Sequence, residues 1–321
     1  MIDPQIVRDA IPYALNDTHF EGLGKRLSGK VRDIYLQPGH RLLVATDRLS
    51  AFDRIIAAIP FKGQVLNQLS GWWFEQTSDV VANHVLDIPD PNVTVGRECA
   101  ALAVEVVVRG YITGVTDTAL WTLYNDGVKK PYGLELPPGL KKNDKLPEPV
   151  ITPTTKGGEG EHDERLSSDE VVSKGLMSAS RWQEVREAAL EIFRRGQERA
   201  QAAGLILVDT KYEFGTLDGK LVLIDEIHTP DSSRYWIADS YAADHAAGRE
   251  PEGLDKEYIR RWLKAQGYTG EGPVPAPPAD VVTELATRYI GAYERLTGRT
   301  FVPGTQPAGA RIDAALARYR S

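Results

Sequence analysis

Cysteine is nearly absent from this chain. Cys99 is the only one among 321 residues, which excludes an internal disulfide framework and a thiolate zinc cluster. Within the apolar run CAALAVEVVV it reads as a small core residue. Long hydrophobic runs are missing as well. Nothing approaches the roughly 20 residues that span a bilayer, and the opening MIDPQIVRDAIPYAL carries acidic residues and no signal-peptide pattern. These features predict a cytoplasmic protein without membrane association. A basic excess is lacking too: 38 Lys and Arg against 45 Asp and Glu give a net charge of -7. That disfavours non-specific nucleic-acid binding but leaves room for local cation clusters that hold small anions. The six His residues show no HExxH or comparable ligand spacing.

What is present is an ordinary globular composition, 42% hydrophobic and 26% charged, in a chain long enough for two domains or one large domain with insertions. No solenoid repeat is visible. VRDIYL and RLLVATD read as strands around Gln37-Pro38-Gly39-His40, where Gly39 supplies the positive φ of a type II turn. Another apolar run covers 100 to 108. Residues 128 to 168, rich in Pro, Gly and charge, read as one long loop. A helix follows, with Ser180 and Gln183 placed as a capping box, Trp182, Val185, Ala189, Ile192 and Phe193 on one face, and Gly204 as its stop. Then come two strands, LILVDTKYEF and KLVLIDEI, a linker at 268 to 279 and an amphipathic helix around 281 to 296. Strands first and mixed elements later predict an α+β protein of two lobes with antiparallel sheets.

The hairpin of those two strands carries the chemistry. A two-residue Asp218-Gly219 loop would pair Glu213 with Ile224 and mix charge with apolar residues on both faces. A three-residue loop, Asp218 to Lys220, pairs Glu213 with Asp225 and sorts the faces better. In that register Asp209, Lys211, Glu213 and Asp225 share one face, and Ile206, Val208, Tyr212 and Phe214 the other. Opposed carboxylates need a positive charge between them, and magnesium, which takes one or two protein carboxylates plus phosphate oxygens, is the predicted occupant. A solvated outer face is the simpler alternative.

Residues Gly24 to Lys30, GKRLSGK, satisfy GxxxxGK, but Val31 stands where a P-loop needs Ser or Thr, and the GK enters a strand instead of a helix. A glycine turn between strands can still approach phosphates, with Lys30 and Arg32 as charged arms; a plain hairpin turn is the alternative. In ATDRLSAFD, Asp47 and Ser50 suit either a ligand-facing loop or helix caps. Arg109, ending VEVVVRGYITG beside glycines, suits phosphate or carboxylate recognition. HTPDSSRYW clusters Asp231, Ser232, Ser233 and Arg234 behind the acidic hairpin.

The ordered set GKVRDIY, DRLSAFD, PFKGQVLNQLS, VEVVVRGYITG, ITPTTKGGEGEHDE, LILVDTKYEFG, LIDEIHTPDSSRYW and LDKEYIRRWL, across residues 29 to 263, resembles the phosphoribosylaminoimidazole-succinocarboxamide synthase (SAICAR synthetase) family. The resemblance implies an ATP-dependent amide ligase joining 5-amino-1-(5-phosphoribosyl)imidazole-4-carboxylate to L-aspartate, giving SAICAR, ADP and phosphate through an acyl phosphate, with Mg2+ as cofactor. It implies an ATP-grasp-like protein with ATP in the cleft between a β-rich lobe, 1–103, and an α+β lobe, 104–321; a monomer is compatible with this reading, but the sequence does not set the oligomeric state.

By motif, Gly29, Lys30, Val31 and Arg32 resemble the ATP phosphate loop and Ala101, Ala103 and Glu105 the adenine-side strand. Glu213 and Asp225 resemble the magnesium ligands, with Lys211 beside the phosphates. Arg109, Asp231, Ser232, Ser233, Arg234 and Arg260 resemble binders of the ribonucleotide, while Asp47, Ser50, Lys62, His162 and Asp163 lie where the family arranges substrate groups. Two positions depart from the family pattern: Ala103 replaces a Pro, and Val115 replaces a Ser, so that Thr113 or Thr116 is left to supply a substrate-binding hydroxyl. A small-molecule kinase and a non-catalytic nucleotide-binding regulator are the rival readings.

Overall fold

The computed structural model describes residues 2–52, 54–116, 118–156 and 164–320. Helix α1 (Pro4–Ala10) opens the chain, capped by the Asp3 carboxylate on the Gln5 N–H. Strands β1 (Lys25–Ser28), β2 (Arg32–Gln37) and β3 (His40–Ala45) follow, then the hairpin β4 (Arg48–Ala51) and β5 (Arg54–Ala58), helix α2 (Lys62–Gln76) and strands β6 (Ala82–Asn83), β7 (Val85–Asp90) and β8 (Val93–Arg97). The long strand β9 (Ala100–Tyr111) leads to α3 (Leu120–Asn125), β10 (Lys145–Thr155), α4 (Ser168–Ser173) and α5 (Ala179–Ala202). After them come β11 (Leu205–Leu217), β12 (Lys220–Ile224), β13 (Ser233–Ile237), α6 (Ala238–Ala246), α7 (Glu257–Ala265), α8 (Ala279–Thr297) and α9 (Ala308–Leu316). No described helix is long and apolar enough to cross a membrane.

Two larger sheets organise these elements. The first is antiparallel, in the order β1-β2-β3-β8-β7, and its Pro38-Gly39 turn has Gly39 at φ +78°, as the type II reading requires. The second runs β10-β9-β11-β12-β6, with β13 also paired to β11; every pairing in it is antiparallel except β12 with β6. Mixed α and β content with antiparallel sheets is therefore observed. Residue 103, where the sequence suggested a boundary, falls inside β9.

Three expectations are corrected. The stretch 128 to 168 contains the eleven-residue strand β10 despite Pro147, Pro149 and Pro153. As the edge of its sheet, β10 has one side on which missing N–H donors cost no ladder bonds, and its register shifts between Lys145 and Val150. Helix α5 is capped by Ser178, whose hydroxyl accepts from the Arg181 N–H, two residues before the expected box; it stops before Gly204, at φ +69°.

The β11–β12 loop is the two-residue Asp218-Gly219 turn, with both residues at positive φ, so Glu213 faces Ile224 and not Asp225. A register shift between Leu207 and Asp209 further reverses the inside–outside parity of β11. Leu205 and Leu207 join Tyr212 and Phe214 in the main core, while Ile206 and Val208 pack with Tyr111 and Trp236 in a small separate cluster.

The main core joins the second sheet to α2, α5 and α8 through Trp73, Phe193, Tyr212, Phe214 and Tyr289, all at most 1% exposed. A second core joins Leu42, Val44, Val93 and Val95 of the first sheet to Ala308, Ile312 and Leu316 of α9. Cys99 is buried and unpaired with any other cysteine, the core residue that its apolar context predicts.

Candidate functional site

One face of the second sheet is polar because β9, β10 and β11 are in register there. Glu213 lies directly across from Glu105, which lies across from Thr154; Lys211 lies across from Val107, which lies across from Thr152; Asp209 faces Arg109. Directly opposed carboxylates repel. The charge between them is Lys211, whose Nζ donates to Glu213 Oε1 at 2.6 Å and to Glu105 Oε1 at 2.8 Å. Lys156, just past β10, donates to the other oxygen, Glu213 Oε2, at 2.5 Å.

Asp225 reaches this site by another route than the expected strand register. It follows the last residue of β12 and has φ +67°, so the chain leaves strand geometry and alternation no longer applies to it. Arg32, the first residue of β2, bonds Asp225 through Nη1, and its Nη2 lies 3.0 Å from Glu226 Oε2. The Thr229 hydroxyl completes Glu226 at 2.7 Å.

Electrostatics divides the two carboxylates. Burial would raise the Glu213 pKa, but Lys211 and Lys156 hold it down at about 2. Burial pushes Asp225 up to about 6, with Arg32 opposing and Glu213 adding to the rise. Burial would lower the Lys211 pKa, yet Glu213, Asp225 and Glu105 hold the ammonium protonated above its ordinary range.

Among the described residues no group of three or more His, Cys, Asp or Glu side chains is arranged to hold a metal ion. Glu213 and Asp225 are nevertheless a fitting donor pair for magnesium. Their oxygens are hard ligands, and the ion draws only one or two carboxylates from a protein when phosphate and water complete its octahedron.

Gly29, Lys30 and Val31 form the turn between β1 and β2, with Gly29 and Lys30 exposed and Val31 half-buried, closed by the Gly29 N–H on the Arg32 carbonyl at 2.8 Å. The turn is tied down from below. Thr46 donates its N–H and its hydroxyl to the Val31 carbonyl, and Arg48, in a buried ion pair with Asp33 at 2.8 Å, donates to the Gly29 carbonyl. Ala101 and Ala103 are exposed on β9, two and one alternations before Glu105 on the same face.

Next to Lys211 a cavity of about 270 Å³ is lined by Arg109, Arg234, Arg260, Lys256 and Lys211, with Asp209, Asp231 and Asp255 among them. Arg109 is held across the sheet by Asp209 at 3.2 Å and Thr152 at 2.9 Å. Asp209 is also 3.7 Å from Arg234. The structure thus gathers Arg109, Lys211, Asp231, Ser232, Ser233, Arg234 and Arg260, separated by up to half the chain, around one opening.

Their roles differ. The Asp231 side chain is buried between Lys62 at 2.8 Å and Lys256 at 3.1 Å, and Tyr289 donates to its other oxygen at 2.6 Å. Burial would raise its pKa, but Lys256 and Lys62 hold it well below the carboxylate range. Lys62 is therefore committed to Asp231. Ser232 bonds back to Thr229 in its own loop, and the Ser233 hydroxyl donates to Thr210 at 2.7 Å.

Asp47 is a structural acceptor: its buried carboxylate takes the Leu15 N–H at 2.7 Å and the Gly63 N–H, in the first turn of α2, at 2.9 Å. Ser50 is a half-buried residue of β4 opposite Ile55. His162 and Asp163 lie outside the described residues. Thr113 is buried with its hydroxyl on Asn143 Oδ1 at 2.6 Å, whereas Val115 is exposed.

Sequence reasoning missed Lys156, Lys256, Glu226 and Asp209 as site residues. Asp209 was placed on the correct face without a role. The others sit in quoted motifs, but only the crossing of strands brings their charges together.

A sheet face that places carboxylates, lysines and arginines beside a cation-lined cavity defines a protein that handles polyanionic small molecules. The family model for SAICAR synthetase matches residues 25–275. Over 300 residues the chain is 49% identical to the phosphoribosylaminoimidazole-succinocarboxamide synthase of Legionella pneumophila, covering 92% of this chain and 95% of that one. It is 49% identical over 314 residues to the chloroplastic enzyme of that name from Arabidopsis thaliana, covering 95% and 76%. Among solved structures, the SAICAR synthase of Saccharomyces cerevisiae, complexed with SAICAR, superposes with a TM-score of 0.78 at 34% identity, covering 90% of this chain and 99% of that one. The chain belongs to the SAICAR synthetase family.

Proposed function

We propose that the protein is an ATP-dependent ligase of purine biosynthesis that joins 5-amino-1-(5-phosphoribosyl)imidazole-4-carboxylate and L-aspartate to give SAICAR, ADP and phosphate. The observation that carries this reading is the position of Lys211. It bonds Glu213 and Glu105 on the acidic face and also lines the cation-rich cavity, so a phosphoryl donor and an anionic acceptor would meet at its ammonium.

The ribonucleotide occupies the cavity, where Arg109, Arg234 and Arg260 answer its negative groups. ATP lies between two lobes, an N-terminal one with the Gly29–Val31 turn toward the phosphates and a C-terminal one bearing Ala101, Ala103 and Glu105 on the adenine side. Magnesium, held by Glu213 and Asp225, supplies charge neutralisation at the phosphates.

A carboxylate is a poor electrophile. Its oxygen attacks the γ-phosphorus, ADP departs and an acyl phosphate forms. The amine of aspartate then attacks the acyl carbon, loses a proton and displaces phosphate. Lys211 stabilises the charge that gathers in the first step. The protein acts in the cytoplasm.

Single-turnover reactions with oxygen-18 in the imidazole carboxylate test the chemistry: one label is expected in the released phosphate, and its absence would exclude the acyl phosphate. Omitting substrates singly separates a ligase from a kinase, since a kinase would release ADP steadily without aspartate.

A further inference from the structure

Glu213 has more positive charge around it than one carboxylate needs. Lys211 is shared between Glu213 and the opposed Glu105, so it cannot leave without exposing both to repulsion. Arg32 is shared in the same way between Asp225 and Glu226. Lys156 differs from both. It bonds Glu213 Oε2 alone, its ammonium has no second partner among the described residues, and its side chain is 48% exposed against 33% for Lys211 and 15% for Arg32. Its backbone is fixed, by donation from its N–H to the Ala103 carbonyl at 3.2 Å. A half-exposed ammonium on an anchored backbone therefore covers the one oxygen of Glu213 that Lys211 leaves open.

We propose that Lys156 is a placeholder: in the ligand-free protein it neutralises Glu213 Oε2, and it releases that oxygen to the divalent cation that arrives with the nucleotide. The freed ammonium then binds the nucleotide's terminal phosphates. The proposal rests on the reading of Glu213 as a magnesium ligand. Charge dictates the direction of the exchange, because a doubly charged ion at Oε2 repels the ammonium while the incoming phosphates attract it. The swap keeps Glu213 neutralised in both states. It also couples the two ligands, since the cation displaces the group that the phosphates then use. The Lys156 end of the pair is half exposed, and an ion pair screened by solvent on one side is weak enough to be exchanged in this way.

The test measures Mn2+ binding by electron paramagnetic resonance without nucleotide, and binding of a β,γ-imido ATP analogue with Mg2+ by calorimetry. Both use the full chain as wild type, Lys156→Gln, Lys156→Arg and Glu213→Gln. Lys156→Gln is expected to bind Mn2+ more tightly, by up to about fivefold, the factor that a half-exposed ion pair can withhold. It should bind the analogue about tenfold more weakly, having lost a charge-assisted phosphate contact. Lys156→Arg is expected to keep the wild-type Mn2+ affinity, and Glu213→Gln to weaken it. If Lys156→Gln leaves Mn2+ binding unchanged or weaker while Glu213→Gln weakens it, the placeholder role is overturned and the magnesium reading stands. If Glu213→Gln binds Mn2+ as the wild type does, both fall. Unaltered analogue binding by Lys156→Gln would overturn the phosphate half of the proposal.

Discussion

Arg32 and Asp225, 193 residues apart in the chain, form an ion pair that ties the first strand-turn-strand unit to the end of the acidic hairpin. The guanidinium is bifurcated, one nitrogen on Asp225 and the other on Glu226, so a single side chain neutralises two adjacent carboxylates of a different sheet.

Arg32→Met should therefore leave those carboxylates without their cation. A loss of about 3 kcal/mol is expected from the removal of one partner of a largely buried pair, read by urea unfolding. Because Arg32 opposes the upward shift of Asp225, its removal raises that pKa above about 6. Activity at pH 7 should fall and recover in part toward pH 8.5. A variant with wild-type stability and an unchanged pH profile would show that the pair carries no weight.

Glu213→Gln and Asp225→Asn should each lower magnesium-dependent turnover on the order of 100-fold, comparable to the loss of one group that stabilises transition-state charge. Circular dichroism should show the fold retained. Full turnover in either variant would sink its assignment as a metal ligand.

Asp231 is expected to act through packing and charge and not by touching substrate. Asp231→Asn leaves Lys62 and Lys256 facing each other in the interior, at a cost of about 3 kcal/mol or more. The measurements are thermal unfolding and the KM for the ribonucleotide. A weakened KM with unaltered melting would instead make Asp231 a direct ligand.

Asp47 gives a pH prediction. Burial pushes its carboxyl up to about 6 despite the Gly63 and Leu15 N–H donors. A folded pKa above the ordinary value near 3.8 means that the native state holds the proton more tightly. The resulting stability is complete below about 3.8 and is lost as pH rises through about 6. Wild type should therefore lose stability relative to Asp47→Asn, which cannot ionise, between pH 4 and pH 7 in urea titrations. A pH-independent difference would contradict the shift.

The sequence made the strands, α5, α8 and the Pro38-Gly39 turn legible, because each rests on local periodicity or on a residue with a special φ. It misled on β10, since prolines that break a central strand are tolerated on an edge, and edge position belongs to the tertiary fold. It misled on the hairpin register because face-sorting assumes alternation up to Asp225, whereas a positive φ there ends the alternation. The motifs located Arg109, Lys211, Arg234 and Arg260 around one cavity. They could not show that Asp47 and Lys62 serve backbone amides and Asp231, because those partners come from distant parts of the chain.

The packing of α9 on the first sheet has a consequence for synthesis. Leu42, Val44, Val93 and Val95 leave the ribosome more than two hundred residues before Ile312 and Leu316, which share their core. Until α9 emerges, that apolar surface has only Leu15, Leu23, Tyr35 and Phe20 of its own cluster to shield it, and the part that the helix will cover stays open to transient contacts or chaperones.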